Sequence, residues 1–290
     1  MIQSVAFIGL GAMGYRMAAH LPKHFDTVYV WNRNFAKAEQ HAAEYGTQAV
    51  ELAQAVQADI IFSCLPTSTE VENLIAQVQL KAGSVWVDCT SGVPESAKKL
   101  VQQLEAQQID FLDAPVSGQT IGAENATLTV MIGGKAAAFE KALPAIQAFG
   151  KVIQHVGEPG AGFAVKAVNN MLMAVSLCAA AEGFTTLKAH GVNLNQALQC
   201  INASSGKSAV TEMILPQRVL NRAFPNTFAL PLLAKDTGIA LDLVHEAALP
   251  APVLALTQSL IQAANLTAEK DSDFSTAVKM YELWSNITLE

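Results

Sequence analysis

The chain has 290 residues, 51% hydrophobic and 15% charged, which fits a globular protein with one large core or two ordinary ones. A formal charge of −7 gives no general attraction to phosphate backbones or anionic membranes, so nucleic acid and membrane are set aside as partners in favour of a small molecule. Four scattered cysteines, Cys64, Cys89, Cys178 and Cys200, form no C-x-x-C pair and predict reduced thiols rather than a zinc site or a disulfide framework.

The opening MIQSVAFIGLG has no basic stretch before its apolar run and continues into glycines, so it reads as structure rather than a signal peptide, and a cytoplasmic location is expected. Strand-like runs follow at Ser4 to Ile8, Thr27 to Trp31, Asp59 to Ser63, Ser84 to Asp88, Ile109 to Leu112, Leu128 to Ile132 and Val152 to Val156. Helical stretches, among them Ala12 to Leu21, Ala36 to Tyr45, Glu95 to Gln107 and Lys135 to Phe149, fall between them. That alternation predicts a doubly wound sheet with crossover helices. After Gly157-Glu158-Pro159-Gly160-Ala161-Gly162 the strand signals stop and the rest reads as helix, which predicts an α/β domain over 1–160 and an all-α domain over 161–290. A long helix is expected from about Phe163 to His190. Its apolar run, Met171 to Ala181, is broken by Ser176 and falls short of the roughly 20 residues that span a bilayer. It reads as a buried helix, in a domain core or a subunit interface, and a homodimer or homotetramer is expected.

The first strand leads into Gly9-Leu10-Gly11-Ala12-Met13-Gly14 and then a helix. This is G-x-G-x-x-G between strand and helix, the setting in which the motif binds a dinucleotide: Gly9 for the tight turn, Gly11 for the approach of the pyrophosphate, Gly14 for close helix packing. The second strand should end in a carboxylate for the ribose hydroxyls of NAD, but it ends in Asn32-Arg33. A guanidinium there pairs with the 2′-phosphate of NADP, so NADP is the expected preference, with NAD possible. The strand ends Cys64-Leu65-Pro66 and Asp88-Cys89-Thr90-Ser91 should also face the cofactor.

Asp113-Ala114-Pro115-Val116-Ser117-Gly118 follows a strand and offers a hydroxyl and backbone amides to a carboxylate. Pro115 stands where G-x-S-x-G needs its first glycine, so the segment is read as a substrate-binding loop and not as a nucleophile elbow. Lys166 and Asn170 are four apart and share a helix face. Oxidation of an alcohol by hydride transfer must be matched by loss of the hydroxyl proton, and a lysine serves as the acid or base when its surroundings lower its pKa. Gly206-Lys207-Ser208 is no phosphate loop, because Ile201 replaces the first glycine, and no His or carboxylate spacing fits a metal.

On these residues the chain resembles the β-hydroxyacid dehydrogenase family over nearly its whole length. The family's opening signature matches Phe7 to Gly14, its substrate motif Asp113 to Gly118, and its catalytic motif G-x-G-x-x-x-K-x-x-N-N matches Gly160, Gly162, Lys166, Asn169 and Asn170. The resemblance implies a Rossmann-type N-terminal domain for the cofactor and an all-α C-terminal domain for substrate and assembly. It implies Lys166 as catalytic, Ser117, Gly118 and Asn170 as substrate-binding, and Leu65, Pro66, Ser91 and Lys235 as further cofactor contacts. The implied reaction interconverts a small 3-hydroxy acid, such as 3-hydroxyisobutyrate, and its semialdehyde; related enzymes reduce glyoxylate or succinic semialdehyde. A non-catalytic NADP-binding sensor is the alternative of another class, and retention of Lys166 with Asn170 speaks against it. Two departures stand out: Gln119 and Ala126 occupy positions where the family has glycine.

Overall fold

The computed structural model describes residues 2–290, and the chain divides into two compact units, Met1–Lys166 and Ala167–Glu290. In the first unit the β-branched and aromatic runs form β1 (Val5–Ile8), β2 (Val28–Trp31), β3 (Gln48–Ala49), β4 (Ile60–Ser63), β5 (Val85–Asp88), β6 (Asp110–Asp113), β7 (Val116–Ser117), β8 (Leu128–Gly133) and β9 (Gly150–Gly157). Between them run α1 (Gly14–Ala18), α2 (Phe35–Tyr45), α3 (Leu52–Ala55), α4 (Ser68–Ile75), α5 (Pro94–Glu105), α6 (Gln119–Glu124) and α7 (Ala136–Ile146).

The strands form one sheet in the order β3-β2-β1-β4-β5-β6-β8-β7, with β9 added to β8. All pairings from β3 to β6 are parallel. β8 runs antiparallel to β6 and β7 and parallel to β9. The parallel part is the Rossmann-type arrangement, whose order reverses between β1 and β4 and opens a crevice at the carboxyl ends of the strands.

Alternate residues of each strand serve opposite faces. Phe7, Val30, Phe62 and Val87 pack with Met17 of α1, Ala38 of α2 and Ile146 of α7. Ile8, Ile61 and Trp86 pack with Val71 and Leu74 of α4 and Leu100 of α5. Burial on both faces is why these strands read as nearly continuous apolar runs. The first helix is shorter than the expected Ala12 to Leu21. It ends at Ala18, and a 3₁₀ turn follows at Leu21–Lys23, because Pro22 has no N–H with which to continue an α-helical ladder.

The second unit consists, apart from one isolated bridge between Ala229 and Asp273, of helical segments among the described residues. These are the continuation of α8 (Ala161–Ala189), α9 (Leu194–Asn202), a π-helical stretch at Val210–Val219, α10 (Leu230–Glu246), α11 (Pro252–Thr267), a 3₁₀ turn at Phe274–Ala277 and α12 (Val278–Ser285). By length and composition α8 would suffice to cross a membrane, but 44% of its most apolar window is buried. Leu177, Ala181 and Phe184 lie in a core with Leu198, Ile214, Leu233, Ile261 and Val278, which is how the central helix of a helical domain is placed.

Candidate functional site

The glycine-rich turn lies where the first strand meets the crevice, and its three glycines have three separate reasons to lack a side chain. Gly9 has φ +93°, and a Cβ there would stand 2.5 Å from the Cys64 carbonyl oxygen. A Cβ on Gly14 would collide with the Gly9 carbonyl and lie 2.9 Å from the Phe7 ring. Gly11 differs, since a Cβ there would meet nothing within 4 Å. Space beyond Gly11 is what a pyrophosphate needs when it approaches the backbone, so these residues fit a dinucleotide. Ala12 and Met13 complete the turn, and the Leu10 N–H donates to Asn32 Oδ1 at 3.0 Å. Asn32 therefore ties the end of β2 to the turn, while the adjacent Arg33 is exposed.

The neighbouring strand ends are cross-braced. Ser63 Oγ donates to Asp88 Oδ1 at 2.8 Å and accepts from Trp86 Nε1 at 2.8 Å. The Leu65 N–H donates to Thr90 Oγ1 at 3.1 Å, and the Thr90 N–H donates to Asp88 Oδ1 at 3.1 Å. Leu65 and Pro66 after β4 are thereby fixed against the segment after β5 that carries Ser91. Burial, with the Asp88 charge adding to it, pushes the Cys64 thiol up to about 12 against the opposing Gly14 N–H. A thiol of that kind stays protonated and inert near neutrality.

The loop that the sequence points to for substrate begins at Asp113, a fully buried carboxylate at the end of β6. Its Oδ1 accepts from the Gly160 N–H at 2.7 Å and its Oδ2 from the Phe163 N–H at 2.9 Å, so it caps the amino end of α8, where orphan N–H groups and the helix dipole favour an anion. The glycines of the catalytic motif are cut to this joint. Gly160 has φ +92°, and a Cβ on Gly162 would lie 2.7 Å from the Asp113 carbonyl oxygen. Burial outweighs the N–H donors and raises the Asp113 pKa to about 6. Lys166, half-buried, is one turn beyond Gly162 on the helix so seated, and Ser117 and Gly118 stand at the far end of the loop that Asp113 opens.

Asn170 is one turn further on, buried in the second unit. Its Nδ2 donates to Asp236 Oδ2 at 2.6 Å and its Oδ1 accepts from Asn169 Nδ2 at 3.1 Å. Lys235 Nζ is 3.2 Å from Asp236 Oδ1. The positions named in the sequence as Lys235 and Asn170 thus meet through Asp236, to which sequence reasoning gave no role; Asp113 and Thr90 were named within their segments, but not as the braces they form. Each was visible only as a polar residue inside or beside an apolar run. The Lys207 of Gly206-Lys207-Ser208 pairs with Glu212 at 2.6 Å, as an ordinary surface lysine does.

Both departures from the family pattern fall on left-handed backbone, Gln119 at φ +57° and Ala126 at φ +53°. Glycine is free there, whereas a side chain costs about 1–2 kcal/mol.

Residues 4–157 match the family model for the NAD binding domain of 6-phosphogluconate dehydrogenase. Residues 160–281 match the one described as NAD-binding of NADP-dependent 3-hydroxyisobutyrate dehydrogenase. The chain is similar to 2-(hydroxymethyl)glutarate dehydrogenase of Eubacterium barkeri, 36% identical over 98% of this chain and 97% of the relative. It is also similar to the NAD-dependent L-serine dehydrogenase of Pseudomonas aeruginosa, 32% identical over 97% of this chain and 98% of that one. Among solved structures, Mycobacterium tuberculosis 3-hydroxyisobutyrate dehydrogenase with L-serine superposes with a TM-score of 0.88 at 27% identity, covering 97% of this chain and 99% of that one.

Proposed function

This chain belongs to the β-hydroxyacid dehydrogenase family, NAD(P)-dependent oxidoreductases acting on a CH–OH group, and from that premise we propose that it interconverts a small 3-hydroxy acid and its semialdehyde in the cytoplasm, with NADP preferred. The substrates in the names of the three relatives support the class. Hydroxymethylglutarate, serine and 3-hydroxyisobutyrate share the skeleton HOCH₂–CH(R)–COO⁻ and differ in R. We take 3-hydroxyisobutyrate, with R a methyl group, as the reference member.

The observation that carries the reading is the joint at Asp113. One buried carboxylate holds the amino end of α8 and opens the loop to Ser117 and Gly118, so the proton-transfer lysine and the substrate loop hang from a single fixed point. Preorganisation of that kind is what positioning catalysis requires. When bound, the nicotinamide gives or takes the hydride at the alcohol carbon. Ser117 and Gly118 hold the substrate carboxylate through a hydroxyl and backbone amides. Lys166 takes the hydroxyl proton during oxidation and returns it during reduction. Asn170, its amide fixed by Asp236, orients the substrate.

A panel of such hydroxy acids and their semialdehydes, assayed with both cofactors, tests the class. Lys166→Ala should lower kcat by about 100- to 10,000-fold with cofactor binding retained, and Asn170→Ala should chiefly raise KM. Near-normal kcat in Lys166→Ala on the best substrate would overturn the assignment.

A further inference from the structure

The segment after Ser117 depends on its neighbours for its shape. Ser117 itself is fixed by the sheet, paired with Thr129 across β7 and β8. The chain then passes through Gly118 at φ +135° and Gln119 at φ +57°, runs through α6 and leaves by Ala126 at φ +53°. Left-handed backbone carries a steric cost for residues with a Cβ, and a six-residue helix with Gly122 inside it is far too short to stand alone. Such a conformation persists where surrounding structure holds it.

The hold comes from α1 and the turn beyond it. Ala123, fully buried, belongs to one core with Met17, Ala18 and Leu21. Its carbonyl lies in the last turn of α6, where helical N–H groups run out; the Thr127 N–H goes to Gly122 instead. At that depth the carbonyl cannot turn to water. His20 Nε2 meets it at 2.9 Å, and because a carbonyl only accepts, Nε2 is the nitrogen that carries the proton. The nearby Arg16 and Glu124 pair at 3.5 Å, but their side chains are 39% and 65% exposed, so the pair is screened and contributes little. His20 is the polar contact that holds α6. The helix in turn is tied to the loop, since the Gly122 N–H donates to the Gly118 carbonyl at 2.9 Å.

We propose that His20 is a positioning residue for the substrate carboxylate: by holding α6 it sets Gly118, and with it the backbone amides that grip the carboxylate beside the Ser117 hydroxyl. This inference rests on the reading of Ser117 and Gly118 as the substrate loop. Without the bond the Ala123 carbonyl is left buried and unpaired, and α6 shifts to satisfy it, drawing Gly118 out of place while Ser117 stays on the sheet. A carboxylate remote from the reacting carbon is gripped alike in the ground state and the transition state, so the loss falls on KM and spares kcat.

The test measures kcat, KM, the NADP dissociation constant and a melting temperature, with 3-hydroxyisobutyrate and 2-(hydroxymethyl)glutarate as substrates. The unmutated protein is compared with His20→Leu, His20→Asn, His20→Gln and Ser117→Ala. A glutamine amide can place an N–H where Nε2 stands, whereas an asparagine amide reaches only as far as Nδ1. His20→Leu and His20→Asn should raise KM by about three- to tenfold, the worth of one hydrogen bond, with kcat and the NADP constant within about twofold. His20→Gln should bring KM back to within about twofold of the unmutated value. A lower melting temperature in His20→Leu with KM unmoved overturns the proposal, because the bond would then serve the fold alone. A KM raised as far in His20→Gln overturns it too, as does an NADP constant that rises in step with KM and so traces the effect to α1. If Ser117→Ala raises KM and His20→Leu does not, only the role of His20 is refuted. If neither moves KM, the substrate-loop reading fails, and this inference with it.

Discussion

Asn32 and Arg33 close β2 side by side and do different work. Asn32 accepts the Leu10 N–H and so belongs to the framework of the glycine-rich turn, whereas Arg33 is exposed at the end of the strand, where the ribose end of a dinucleotide is received. A guanidinium in that place pairs with a 2′-phosphate that a carboxylate would repel. Loss of one charge-assisted, bidentate contact costs on the order of 1.5–3 kcal/mol. Arg33→Ala should therefore weaken NADP by roughly ten- to a hundredfold and leave NAD nearly untouched, measured as dissociation constants by titration. Equal efficiencies with the two cofactors in the unmutated protein would remove the basis for an NADP preference. The dipeptide was plain in the sequence as a missing carboxylate. The strut made by Asn32 was not, since its partner lies in a different turn of the chain and only folding brings the two together.

Among the elements, those that bury both faces or run long were legible: the parallel strands β1, β2, β4, β5 and β6, and the helices α2, α5, α7 and α8. The two-residue strands β3 and β7 are too short for any periodicity to register, and α6 contains Gly122 within its six residues, which obscures a helical pattern. The motif glycines Gly160 and Gly162 could be recognised, yet their cause could not, because it lies in Asp113 on a strand end far away in the chain. That carboxyl also gives the joint a pH dependence. Its folded pKa of about 6 exceeds the ordinary value of 3.8, so between those limits the folded chain keeps a proton that the unfolded chain has lost. Its contribution is therefore fully present below about pH 4 and is lost as pH rises through about 6, on the order of 3 kcal/mol in all. Asp113→Asn cannot titrate and places an amide among N–H donors. It should be clearly less stable than the unmutated protein at pH 4.5, with a gap that narrows by pH 7. Melting curves at the two pH values decide the matter, and a gap that held constant or widened would show that Asp113 does not titrate in this range.

At the scale of the molecule, the apolar run of α8 that first pointed to assembly is largely covered within its own unit. Met171, Ala174, Leu177 and Ala181 are buried there, and Leu172 is exposed. The case for association moves to other residues: Val253 and Leu256, three apart on α11, and Leu283 and Trp284 on α12 are all more than half exposed. Apolar surface of that kind marks contact sites when it is contiguous, and we expect a homodimer or homotetramer. A monomeric mass by light scattering at micromolar concentration would refute it. The sequence placed the change from α/β to helix near residue 160, whereas the compact first unit runs on to Lys166. The reason is Phe163, whose side chain is buried with Trp86, Leu100 and Phe111 and would stand 2.6 Å from a Cβ at Gly92. This has a bearing on recombining such enzymes. A cofactor module excised at the glycine hinge would carry an empty socket where Phe163 belongs and a buried anion stripped of its amide donors, so a chimera that exchanges the helical half for that of a relative has its natural splice point beyond Lys166, inside an unbroken helix.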